Sequence, residues 1–184
     1  MGVKHVLKLS LYNYILFLTL LVAVLSFKQW KKILWLVVSI AFSYSFGMVL
    51  VAYGHFIPKI DIIRFLIPFT IFMLAIFNIL SIKNILRSNG KQVLLFAILF
   101  GFFNGLGSSG ELMLQVQKNE SELVPIIEVV LGAGTSLLIA VLGLLTVFTV
   151  LRKIPRFDKK ILILAFSIVV LGLSVPLMFG QIFN

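Results

Sequence analysis

The stretch ILILAFSIVVLGLSVPLMFGQIF, Ile161–Phe183, runs 23 residues without a charged side chain. A helix needs about 20 mostly apolar residues to cross a hydrocarbon core, so this run is long enough to span a bilayer. Five further stretches of the same kind precede it: Leu9–Phe27, Ile33–Tyr53, Asp61–Ile82, Gln92–Leu112 and Val124–Leu151. Their apolar residues are continuous and show no period-two alternation, so they read as helices and not as barrel strands. The expected fold is an all-α membrane protein, a compact bundle of six transmembrane helices forming a single domain over residues 1–184.

Composition agrees. The chain is 61% apolar and 12% charged, against roughly 45–50% apolar in soluble domains. The connections Lys28–Lys32, Gly54–Ile60, Lys83–Lys91, Met113–Leu123 and Arg152–Lys160 leave no room for an appended catalytic module. Sixteen Lys and Arg stand against six Asp and Glu, but there is no basic helix face and no aromatic platform on a polar sheet, which argues against nucleic acid as a partner. The absence of cysteine excludes disulfides, thiol nucleophiles and thiolate metal sites.

Met1–Phe27 imitates a secretory signal, with Lys4 and Lys8 ahead of an apolar run. The run ends Leu25-Ser26-Phe27-Lys28 with no small-x-small cleavage site, and is read as a retained first span. The first, third and fifth connections carry eleven Lys and Arg, and the remaining non-membrane segments, with Arg64, carry five. The positive-inside rule places those three connections in the cytoplasm, and both termini face outward. Asp61, Glu120, Glu122 and Glu128 then gather on the outer side. Pro125 falls where a first-turn proline is tolerated, and Pro68 and Pro176 are expected to kink their spans.

Polar groups at membrane depth are expensive and each is a candidate site. They are Asn13 and Tyr14 in the first span, Ser43, Tyr44 and Ser45 in the second, Asn78 in the third, and Asn104, Ser108 and Ser109 in the fourth. The plain alternative is interhelical hydrogen bonding, worth about 0.6 kcal/mol on average. Gly101 and Gly105 form a small-xxx-small pair, and Gly107, Gly110, Gly132 and Gly134 extend the pattern, which points to closely packed backbones. A phosphate cradle does not fit, since no strand precedes these glycines and no Lys-Ser/Thr follows them. Arg64 and Glu128 are the charged residues clearly inside spans. They are a candidate intramembrane ion pair joining the third span to the fifth, with Asp61 as the local competitor for Arg64.

Several motifs carry a resemblance: Tyr12-Asn-Tyr-Ile-Leu-Phe17, Trp35 through Ala52-Tyr53-Gly54, Phe65-Leu-Ile-Pro68 followed by Ala75-Ile-Phe-Asn78, Phe100-Gly-Phe-Phe-Asn-Gly-Leu-Gly107, and Pro125-Ile-Ile-Glu-Val-Val-Leu-Gly132. In order and spacing, from about Tyr12 to Phe179, the chain resembles the HupE/UreJ family of small integral membrane proteins associated with nickel or cobalt handling. It is most similar to versions found in Bacteroidetes-type bacteria. The resemblance also marks departures. Asn13 and Tyr14 stand where the family has Asp-His, Tyr44 and Asn104 where it has histidines, and Arg64 and Gly134 where it has glutamates. The packing glycines and prolines around them are kept.

Nickel and cobalt favour imidazole and carboxylate ligands, and the remaining histidines, His5 and His55, lie outside the spans. Arg64 would repel a divalent cation. A divergent member that has lost its ligand set is therefore expected, with no metal, no cofactor and no catalytic residues. The expected role is a non-catalytic subunit, scaffold or assembly factor whose partners are the lipid bilayer and another membrane or envelope protein. The alternative is a secondary permease, for nickel or cobalt through a changed site or for another small solute. A membrane enzyme finds no support, since Ser108 and Ser109 have no base within their own motif.

Overall fold

Backbone N–H and C=O groups in a bilayer must bond within their own segment, and continuous apolar runs do so as helices. A computed structural model describes residues 2–25, 29–52, 59–82, 90–116, 123–153 and 158–180, and among them there is no strand. The six helices are α1 (Gly2–Val24), α2 (Trp30–Ala52), α3 (Ile60–Ile82), α4 (Gly90–Val116), α5 (Leu123–Lys153) and α6 (Lys159–Gly180). Most extend beyond the apolar runs that predict them: α2 takes in Lys31 and Lys32, α4 takes in Lys91, and α5 takes in Arg152 and Lys153. Long basic side chains permit this, because a stem can lie along apolar surface while the charge reaches water, or, as at Arg152, carbonyls of a neighbouring helix. Helix α1 stops short, at Val24 where the sequence predicts Phe27, and Leu25 after it is no longer helical. Pro68 and Pro176 lie inside α3 and α6, and Pro125 falls in the first turn of α5.

Helices α2 to α6 are each long and apolar enough to cross a membrane. The chain is a multi-pass membrane protein. In α1 the side chains are described from Tyr12 onward, and Tyr12–Val24 is an apolar helical stretch.

The apolar stretch of α1 lies at the centre. Every residue from Leu16 to Ala23 is buried, as expected of a helix that is apolar all round. The outer helices run in the order α5, α2, α4, α3, α6 about it, and α1 packs on α3, α5 and α6. Although consecutive, α5 and α6 are not among the main helix pairs; the rings of Phe148 and Phe166, 4.8 Å apart, bridge them. The outward face of α2 carries Trp35 and Phe42 at 72% and 74% exposure, a surface suited to lipid and not to water.

Two polar contacts fix the end of α1. Asn78, near the end of α3, donates its amide to the Leu20 carbonyl at 3.2 Å. Arg152, near the end of α5, donates to the carbonyls of Leu25 at 2.7 Å and Ala23 at 2.6 Å. A helix C-terminus leaves its last carbonyls without intrahelical donors and carries partial negative charge, and a guanidinium answers both. These contacts bring the C-terminal ends of α1, α3 and α5 to one end of the bundle.

Candidate functional site

Three of the polar positions singled out in the sequence, Tyr14, Tyr44 and Asn104, lie where α1 and α2 approach α4. Tyr14 and Phe17, three residues apart on one face of α1, both reach Phe100 of α4. Phe17 stacks on the Phe100 ring at 3.8 Å and 2°, and Tyr14 meets it edge-on at 5.2 Å and 83°. Asn104, one turn further along α4, donates its amide to the Phe100 carbonyl at 2.8 Å. Tyr44 of α2 is buried, and its backbone lies against Gly105 of α4. Beside Tyr14, Asn13 is 3% exposed and its Oδ1 is buried without a hydrogen-bond partner.

Glycine makes this approach close. A Cβ at Gly101 would sit 2.5 Å from the Ile40 carbonyl oxygen and against Ser43 Oγ, and one at Gly105 would run into the Tyr44 carbonyl. From the other side, a Cβ at Gly47 would lie 2.6 Å from the Phe102 carbonyl oxygen. Gly47 was missed in the sequence, although Ser43-x-x-x-Gly47 is itself a small-xxx-small pair. Gly107 leaves ordinary room, with Ile63 at 3.4 Å and Ile67 at 3.6 Å.

Other positions lie elsewhere. Gly132 and Gly134 have nothing within 4 Å of an added Cβ, because α5 packs through a different face, Leu137, Val141, Leu145 and Phe148. Arg64 and Glu128 are both exposed, α3 and α5 are not a main helix pair, and no ion pair joins Arg64 to Glu128 or to Asp61 among the described residues. Near helix ends each charge can reach the interface by itself, so pairing is not required. The hydroxyls also differ from the interhelical expectation: Ser43 and Ser45 donate to carbonyls of α2 itself, Ser39 at 2.8 Å and Ala41 at 2.7 Å. In apolar surroundings the carbonyl one turn back is the nearest acceptor. His55, Glu120 and Glu122 lie outside the described residues.

As a donor set the cluster offers two phenols and two carboxamides, neutral oxygens that are poor nickel or cobalt ligands beside imidazole and carboxylate. Among the described residues no three His, Cys, Asp or Glu come together. Arg152 is the other residue that sequence reasoning undervalued, since it counted there only as an orientation charge.

The family model described as HupE / UreJ protein matches residues 1–180. No curated protein and no solved structure matches the chain.

Proposed function

The chain belongs to the HupE/UreJ family, membrane proteins linked to nickel and cobalt handling, and we propose that this member is a non-catalytic subunit, scaffold or assembly factor of a membrane protein complex. The observation that carries this reading is the packing at the family's ligand positions. Tyr14 packs edge-on against Phe100 of α4, the Tyr44 backbone is pressed on Gly105, and the Asn104 amide is taken up by a carbonyl of its own helix, so these positions are engaged in packing and in backbone bonding. We place the chain in a bacterial inner membrane, and the charge asymmetry supports an orientation with the first, third and fifth connections cytoplasmic and both termini periplasmic.

The test is the size of the native particle. Chain tagged at its own locus and taken up in mild detergent is expected to run as a stoichiometric complex with one other membrane or envelope protein, and Asn104→Leu should leave that complex intact. A lone monomer, with no specific crosslink in native membranes, would refute the scaffold reading.

One observation favours the alternative, a permease for a small solute. The unpartnered Asn13 Oδ1 is a buried acceptor of a kind that costs about 1–3 kcal/mol when nothing donates to it, and a neutral hydrogen-bond donor would satisfy it. Solute uptake into proteoliposomes that disappears in Asn13→Leu would place transport ahead of scaffolding.

A further inference from the structure

The net charge of the chain sits at one end of the bundle. The connections at the C-terminal ends of α1, α3 and α5, with the helix turns that flank them, carry eleven Lys and Arg against one acid, Asp158; the rest of the chain carries five cations and five acids. Five of the eleven fall within nine residues, Arg152–Lys160. This is also where the outer ring of helices lacks a main contact, between α5 and α6.

The geometry at that seam is specific. Arg152 lies one turn beyond Phe148 on the same face of α5, 6.0 Å from its ring, and is held by the carbonyls of Ala23 and Leu25. Lys159 lies seven residues before Phe166, on the same face of α6, and is close enough to Arg152 for the two charges to repel. Lys160 beside it is exposed. At 1.5 Å per residue, the Phe148–Phe166 ring pair sits about 6–10 Å deeper than these charges. Val169, one turn past Phe166, is 57% exposed. Phe148 is itself buried at 1% exposure, so the apolar surface below this cationic rim is formed by the half-buried Phe166 and by Val169 of α6.

We propose that the seam between α5 and α6 seats one anionic phospholipid, its headgroup phosphate against Lys159 and Lys160 with the Arg152 charge behind them, and its acyl chain along Phe166 and Val169. Charge selects this occupant. Two like charges held together at a membrane surface are relieved by a phosphate, and each basic side chain near an anionic headgroup contributes about a fivefold gain in affinity. A zwitterionic lipid brings no net charge to offset them, and a free phosphate gains nothing from Phe166 and Val169.

The test is native mass spectrometry of the delipidated full chain in detergent, titrated with phosphatidylglycerol or phosphatidylcholine. One tightly held phosphatidylglycerol is expected, with phosphatidylcholine weaker. The double substitution Lys159→Gln/Lys160→Gln should weaken the tight site about thirtyfold, fivefold for each lysine. Lys31→Gln/Lys32→Gln, which removes the same charge from the start of α2, should leave it intact, and inorganic phosphate should not displace the lipid. Equal binding of the two lipids would overturn the proposal, as would equal weakening by the two double variants, which means diffuse attraction. Displacement by inorganic phosphate would mean a free-anion site and would also overturn it.

Discussion

Gly105→Ala probes the tightest point of the bundle. A Cβ at Gly105 would stand 2.9 Å from the carbonyl carbon and 3.0 Å from the Cα of Tyr44, whereas ordinary contact begins at 3.4 Å. Both are backbone atoms and cannot swing aside, and the Tyr44 carbonyl oxygen is nearer still, so α2 and α4 must separate by at least half an ångström, the difference between 2.9 and 3.4 Å. Overpacking of this kind costs about 1–3 kcal/mol. A gap of about 0.5–1 Å further along the seam forfeits about a quarter to a half of each dispersion contact that it opens. Against this, alanine is the better helix former by about 1 kcal/mol. The expected net loss is about 2 kcal/mol. Gly143→Ala on α5 is the control, since an added Cβ there meets nothing within 4 Å; it should be neutral or stabilise by up to about 1 kcal/mol. Reversible unfolding in mixed detergent micelles, followed by circular dichroism, measures both. If the two variants agree within about 0.5 kcal/mol, near the usual scatter of remote substitutions, the close α2–α4 approach is refuted.

Further outcomes follow from the other contacts. Arg152→Gln should lower stability in the same assay by about 2 kcal/mol, because hydrogen bonds from a charged donor contribute about 1.5–3 kcal/mol each and glutamine's shorter amide recovers part of that. Asn78→Leu should cost less, about 0.6 kcal/mol, the average for a hydrogen bond between membrane helices. Exchanging the charges of Arg64 and Glu128, singly and together, should give a double-mutant-cycle coupling below about 0.5 kcal/mol, as for independent sites; a larger value would restore the ion pair.

The helices were legible in the sequence because each apolar run has only one way to satisfy its backbone in lipid. Their ends were less so: a run stops at its first charge, but the α2 helix begins at Trp30 and includes Lys31 and Lys32, since a lysine can be helical and still reach water. Gly101 and Gly105 were legible from their spacing. The same spacing misled at Gly132, because small residues mark a close approach only when a neighbouring helix is there, and which face of α5 turns inward is decided by Leu137, Val141 and Leu145. Tyr14, Tyr44 and Asn104 could be picked out one by one, but the packing of Tyr14 on Phe100 and of the Tyr44 backbone on Gly105 depends on the order in which helices surround α1. Arg152 was hidden for another reason. Charge counting treats every cation in a connection alike, and only the position of the last carbonyls of α1 distinguishes this one.

The most direct measurement is nickel and cobalt binding by purified chain, by equilibrium dialysis with metal analysis, in parallel with a variant carrying Asn13→Asp, Tyr14→His, Tyr44→His and Asn104→His. The expected result is that the native chain retains no stoichiometric metal while the variant gains affinity for it, since imidazole and carboxylate are restored where phenol and carboxamide now pack. Retention of one nickel or cobalt ion per native chain, lost on Asn13→Leu or Asn104→Leu, would contradict the reading that these positions have become packing residues.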